Sequence, residues 1–217
     1  MIPLQTSEEI MVVDVALLLP EPVQERVRGI NAALWAQEKD GFRFDATHLP
    51  HITLVQLFVQ QKNLPALVKS IDSVLRSVSQ LLLRVVGIGR AGTTSHFLLE
   101  RMPELQDLHE KLMDAVAPLE EPPGTTAAFF ASGEPARPSD VEWVAQYRSQ
   151  ASRNNYWPHI TLGVGSPKES PKELMEPFDF AASRVALCHL GRFCTCRAVL
   201  HEWNLLSTKE PALPAEV

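Results

Sequence analysis

The sequence predicts a mixed fold of strands and helices assembled by internal duplication. Two observations carry this. The pentapeptide Pro50-His51-Ile52-Thr53-Leu54 recurs as Pro158-His159-Ile160-Thr161-Leu162, 108 residues later. Around each copy, short β-type apolar runs alternate with helical stripes, so each half reads strand–helix–strand–helix–strand, with additions in the second. The division falls near residue 90. It gives a single bilobal domain over 1–217, with a first motif half at about 1–90 and a second at about 91–217.

The elements follow in order. Residues 10–19 (IMVVDVALLL) are short, apolar and bounded by Pro20, the pattern of a buried strand. Residues 22–38 carry Val23, Val27, Ile30 and Leu34 at helical spacing. Residues 51–59 (HITLVQLFV) are rich in β-formers. Residues 64–79 place Leu64, Leu67, Val68, Ile71, Val74, Leu75 and Val78 on one stripe, and 81–88 return to strand. In the second half, 95–100 reads as a strand. A helix at 103–117 has Leu105, Leu108, Leu112, Met113 and Val116 on one side. Glu120 to Pro138 is rich in Pro, Gly and Thr without a period, so it reads as a long loop or insertion. A helix at 139–151 is predicted with Ser139 or Asp140 as N-cap. A strand at 159–164, a short helix near 170–176 and strands at about 182–190 and 195–206 complete the chain.

Composition narrows the partners. Lys+Arg 20 against Asp+Glu 26 gives a net charge of −6, and 45% of residues are hydrophobic. A disordered chain or a coiled coil does not fit this apolar content and these scattered prolines. The acidic balance argues against an extended nucleic-acid surface, which needs net Lys and Arg. No apolar run approaches the ~20 residues of a membrane span. The apolar N-terminal stretch is short, interrupted by Asp14 and not preceded by basic residues, so a cytoplasmic monomer is the expectation. The three cysteines, Cys188, Cys194 and Cys196, are a poor disulfide framework, and with His189 they match no usual zinc spacing. Cys194 and Cys196 are expected on one face of a strand.

The repeated motif carries the chemistry. On a strand, His51 and Thr53 share a face about 6.6 Å apart, while Ile52 and Leu54 turn into the core. The second copy does the same with His159 and Thr161. Pairing the halves about a pseudo-twofold axis brings two imidazoles and two hydroxyls to one groove. One His then takes a proton while the other gives one, because imidazole titrates near neutrality. The hydroxyls donate to phosphate oxygens where charge builds up. This chemistry needs no metal and no cofactor. A zinc site from His51 and His159 lacks a carboxylate or thiol beside either motif in sequence.

At these residues the sequence resembles the 2H phosphoesterase superfamily, in particular the 2'-5' RNA ligase-like proteins, also called RNA 2',3'-cyclic phosphodiesterases. HITL at 51–54 and at 159–162 matches both signatures. The stretch HFLLERMPELQDLHEKLMDAV resembles the middle strand and helix, and RAVLHEWNLL the last strand. The resemblance implies an α+β fold of two pseudo-symmetric lobes, with antiparallel-type sheets lining a central cleft and helices outside. It implies His51 and His159 as the acid/base pair and Thr53 and Thr161 as phosphate holders. The sequence leaves the direction open; in one order His159 activates water and His51 protonates the leaving oxygen. The implied reaction is metal-independent hydrolysis of a 2',3'-cyclic phosphate, on a small nucleotide or an RNA end. A nucleotide-binding module without turnover and a 2'-5' RNA ligase are the alternatives.

Secondary candidates stand near the motifs. Tyr156 and Trp157 precede the second and could stack on a base, with packing at the lobe interface as the competing reading. Arg43, Arg148 and Arg153 are within reach of a phosphate or are solvated surface residues. His48, His96, His109, His189 and His201 have no repeat partner and read as loop or structural residues. Gly87-x-Gly89-x-x-Gly92 leads into a strand, not a helix, and so is no dinucleotide fingerprint.

Overall fold

The computed structural model describes residues 9–131, 135–167, 174 and 176–207. Its strands are β1 (Ile10–Leu18), β2 (His51–Gln60), β3 (Leu81–Ala91), β4 (Thr94–Leu99), β5 (His159–Val164), β6 (Phe178–Ala182), β7 (Arg184–Leu190) and β8 (Cys196–Asn204). Its helices are α1 (Glu21–Gln37), α2 (Leu64–Leu75), α3 (Pro103–Val116) and α4 (Pro138–Gln150). Two four-stranded sheets, β2-β1-β7-β8 and β5-β4-β3-β6, are antiparallel at every named pairing. The α+β class with two antiparallel sheets and surrounding helices is as the sequence predicts. In each sheet the motif strand is an edge, hydrogen-bonded to the strand that opens its β–α unit.

The sheets do not follow the division near residue 90. β3, from the first half, joins the second sheet, while β7 and β8 cross back to β1. The two sheets are therefore interlocked, and one core serves both. That core combines the α1 stripe (Val23, Val27, Ile30, Leu34), Leu67 and Ile71 of α2 and Leu105, Leu108 and Leu112 of α3 with inward residues of both sheets. β1 is apolar on both faces because both are covered. Val13, Val15 and Leu17 face the main core, whereas Val12, Ala16 and Leu18 meet Phe58, Ala128 and Phe129 in a second cluster.

That second cluster accounts for the aperiodic segment after α3. It runs across the first sheet, anchored by Glu121 N–H to Phe58 O (2.9 Å) and Phe130 N–H to Leu190 O (2.7 Å). Other expectations need correction. The strand expected at about 182–190 is β7, and β6 just before it is a strand that the pattern does not predict. The helix expected over 64–79 stops at Leu75. The N-cap of α4 is Arg137, with Pro138 opening the helix; Asp140 sits at N3 and accepts from Arg137 N–H at 2.8 Å, closing a capping box from inside. Cys194 belongs to a 3-10 turn (Arg192–Cys194) with φ 52°, so it shares no strand face with Cys196. The helix expected near 170–176 lies outside the described residues. Gly87 and Gly89 lie within β3, and Gly92 turns the β3–β4 hairpin with φ +58°.

Candidate functional site

Both motif strands fold as the alternation requires. Ile52, Leu54, Ile160 and Leu162 are fully buried, while His51, Thr53, His159 and Thr161 line one cleft of about 710 Å³. Each strand also carries the same irregularity. In β2, Thr53 pairs with Ala16 and Val55 with Val15, leaving Leu54 as an extra residue. In β5, Thr161 pairs with His96 and Gly163 with Ser95, leaving Leu162 extra. The identical pentapeptides thus end in identical β-bulges.

A bulge strands a carbonyl, and a helix side chain satisfies each one. Leu54 O accepts from His109 Nδ1 of α3 at 2.6 Å and from the Tyr147 hydroxyl of α4 at 3.1 Å. Leu162 O accepts from Asn31 Nδ2 of α1 at 2.9 Å. Asn31 also donates to Phe42 O (3.1 Å) and accepts from Phe44 N–H (2.8 Å), which fixes the chain leading to β2. Helices therefore clamp the motif strands: α1 packs on β5, and α3 and α4 pack on β2. Gly163 is required beside this clamp, since its φ is +141° and a Cβ would meet Asn31 Nδ2 at 2.8 Å.

The imidazoles are oriented alike. His51 Nδ1 lies 2.9 Å from Leu49 O, and His159 Nδ1 lies 2.9 Å from Trp157 O. A carbonyl only accepts, so both rings carry Nδ1–H and leave Nε2 for chemistry. Their surroundings differ. His51 Nε2 stands 3.5 Å from Oδ2 of Asp14, a fully buried carboxylate on β1. Burial works against the charged form of His51, but the hydrogen bond and charge of Asp14 outweigh it and raise the pKa. His159 goes the other way. Burial lowers its pKa most, the bond to the Trp157 carbonyl opposes it, the neighbouring His51 lowers it again and Asp14 raises it least, with a net shift down.

Asp14 is the residue that sequence reading missed. Its signal was a lone acid inside an apolar strand, which entered only as an interruption. Oδ2 accepts from the Thr53 hydroxyl at 2.7 Å and from Gln56 Nε2 at 2.8 Å. Gln56 Oε1 in turn accepts from Trp143 Nε1 at 2.9 Å. Gln56 shares the face of Thr53 only because the bulge at Leu54 shifts the alternation by one. A hydroxyl has one proton, so Thr53 here spends it on Asp14. Among the described residues, Thr161 makes no such bond.

The remaining candidates separate cleanly. Trp157 is 56% exposed on the cleft wall, with the Arg101 guanidinium 4.9 Å from its ring centroid. Tyr156 is buried. Its ring stacks on His109 at 3.9 Å and its hydroxyl donates to Thr53 O at 2.9 Å, so it packs rather than offering a free face to a base. Arg153 binds Asp114 at 2.5 Å, and Arg148 is held by Glu120. Arg43 is exposed between Phe42 and Phe44; none of these three arginines lines the cleft. His109, whose Nε2 accepts from Arg153 N–H at 2.9 Å, is structural as expected. His96, read from sequence as structural, lines the cleft with its ring 4.6 Å from that of His159, and burial and that neighbour lower its pKa to about 4.

Cys188 and Cys196 are buried free thiols, and His189 faces Ala128 O at 3.0 Å. The four residues Cys188, His189, Cys194 and Cys196 form no metal-ligand cluster among the described residues; the group that does converge is Asp14, His51 and Cys196. Among those residues no helix is long and apolar enough to cross a membrane.

Comparison with known proteins places this geometry. A family model described as the 2'-5' RNA ligase superfamily matches residues 19–193. Escherichia coli LigT complexed with ATP superposes with a TM-score of 0.55 at 18% identity, covering 91% of this chain and 99% of that one. The Thermus thermophilus protein TT0787 gives a TM-score of 0.57 at 18% identity with the same coverage. The Escherichia coli protein complexed with 3'-AMP gives 0.51 at 19% identity, again covering 91% and 99%. At these identities the likeness is one of fold. No curated protein sequence gives a significant match to the chain.

Proposed function

Because the chain belongs to the 2'-5' RNA ligase superfamily of 2H phosphoesterases, we propose that its cleft hydrolyses 2',3'-cyclic phosphates of nucleotides or RNA ends by two-histidine acid/base catalysis. The observation that carries this is the asymmetry of two otherwise identical motifs. The imidazole held beside Asp14 favours its protonated form, and its twin favours the neutral form. A general acid and a general base are needed in those two states at the same pH.

The steps follow from the residues. His159 Nε2 removes a proton from water as the water oxygen bonds to phosphorus. The bond from phosphorus to the 2' or 3' oxygen breaks, and that oxygen takes the proton on His51 Nε2. The product is a nucleoside monophosphate or an RNA end bearing one phosphate monoester. His159 is left protonated and His51 neutral, and exchange with solvent restores both. Thr161 donates to a non-bridging oxygen, where charge rises in the transition state. Thr53 joins it on leaving Asp14. Trp157 offers the open face of its indole to the base, a contact worth about 1–3 kcal/mol.

A small ligand is favoured over a long strand. The net charge is −6, and the three arginines flanking the motifs point away from the cleft or are paired. The structures of Escherichia coli LigT with ATP, NADP+ and 3'-AMP show that the fold accommodates nucleotides in that protein. The test is hydrolysis of the four nucleoside 2',3'-cyclic monophosphates in EDTA, with wild type beside His51→Ala and His159→Ala. Each single variant is expected to lose about 10²–10⁴-fold in turnover. Wild-type rates in both variants would overturn the mechanism. Saturable nucleotide binding without turnover would favour a binding module.

A further inference from the structure

Behind His51, in the interior, lies a group that the proposed reaction does not use in full. A ring nitrogen of His51, a carboxylate oxygen of Asp14 and Cys196 Sγ all lie within 4.8 Å of one another. They come from three strands of one sheet, β2, β1 and β8, so sequence spacing gives no hint of the cluster. Asp14 is fully buried; its Oδ2, the oxygen beside His51, accepts from Thr53 and Gln56, while its Oδ1 has no hydrogen-bond partner. A buried carboxylate oxygen without a donor is costly unless something supplies positive charge.

We infer that Asp14, His51 and Cys196 form a binding site for a thiophilic divalent cation of the zinc type, and that filling it switches the catalytic cleft off. The donor set is one carboxylate oxygen, one imidazole nitrogen and one sulfur, a combination suited to zinc and foreign to magnesium or calcium. Zinc bonds of about 2.0 Å to N or O and about 2.3 Å to S, at tetrahedral angles, put ligand atoms roughly 3.3–3.6 Å apart. His51 Nε2 and Asp14 Oδ2 already stand 3.5 Å apart. Cys196 closes the triangle with a shift of about an ångström. Of the three ligands only His51 lines the cleft, and a water or phosphate oxygen from that side would complete the tetrahedron.

The effect on activity follows from one atom. The lone pair that binds the metal is the Nε2 pair that must carry the proton of the general acid, so a metal-bound His51 cannot protonate a leaving oxygen. This regulatory half rests on the two-histidine reading; the binding half does not. The site differs from a catalytic metal centre because it removes the acid and adds nothing that the two-histidine scheme lacks.

The experiment uses the full chain and cobalt(II) as a spectroscopic stand-in, followed by zinc. Wild type is expected to bind one equivalent of cobalt with a thiolate-to-metal charge-transfer band in the near ultraviolet. Zinc should displace the cobalt and abolish cyclic-phosphate hydrolysis, and EDTA should restore it. Cys196→Ala should lose the band and need about tenfold or more zinc for half-inhibition, while keeping its metal-free turnover. Cys188→Ala and Cys194→Ala should keep both band and zinc sensitivity, which separates ligation from damage to the second core cluster. Absence of the band in wild type, its persistence in Cys196→Ala or its loss in Cys194→Ala would overturn the site. The band needs no turnover, so an inactive but cobalt-binding protein would refute the proposed reaction and leave the site standing.

Discussion

The difference between the two motifs resides in single side chains. Asp14 sets one histidine apart from the other, and Thr53 sets Asp14. Thr161→Val should therefore lower turnover by about 10²-fold, the cost of one donor to a charged transition state, as read in steady-state kinetics. Thr53→Val should do something different. It frees Asp14 to hold the His51 proton more firmly, so the alkaline limb of the pH–rate profile should move up. His96 gives a stability prediction. Its folded pKa is about 4 against an ordinary 6.5, so the fold favours its neutral form. That contribution is whole above pH 6.5 and is lost as pH falls through 4. Urea unfolding at about pH 7 and about pH 4.5 should show a smaller acid loss in His96→Gln than in wild type. The sequence made His51, Thr53, His159 and Thr161 legible because they are written twice. Asp14, Gln56 and His96 occur once, on strands whose neighbours are chosen by topology.

At the level of elements, the working unit is a motif strand with a bulge and the helix that satisfies it. Helical and β periodicities placed α1, β2, α3 and β5 well, since each buries one continuous apolar stripe. They could not show that Leu54 and Leu162 drop out of register, because a bulge leaves no mark on composition. Nor did they show β6, a five-residue strand that ends one residue before β7 and belongs to the other sheet. The clamp carries its own prediction. Asn31→Leu leaves the Leu162 and Phe42 carbonyls and the Phe44 N–H without partners, each worth about 1–3 kcal/mol when buried. Gly163→Ala forces a side chain into the same space at φ +141°. Chemical denaturation should show each variant destabilised by about 2 kcal/mol or more, with activity falling as β5 loses its seat.

Across the whole molecule, interlocked sheets bring two copies of one motif to one cleft, and in the proposed reaction the asymmetry between them is a division of labour. The duplication was legible, but its exchange of strands was not, since β3, β7 and β8 carry no repeated sequence. The outer wall of the cleft predicts selectivity. Trp157→Ala should raise KM for a cyclic nucleotide about tenfold with little change in kcat, because stacking is equal in ground and transition states. Binding of a single-phosphate ligand should weaken only shallowly with salt, in keeping with the acidic surface. The central claim, that His51 is the acid because Asp14 keeps it charged while His159 is the neutral base, is tested most directly by one comparison. This is the pH dependence of kcat/KM for a nucleoside 2',3'-cyclic monophosphate, wild type against Asp14→Asn, in EDTA. A bell is predicted whose alkaline limb, set by His51 above 6.5, moves down clearly in the variant, while the acid limb, set by His159 below 6.5 and raised by Asp14 only as the smallest of its influences, moves down less. An alkaline limb that does not move, or an acid limb that moves in its place, would contradict the assignment.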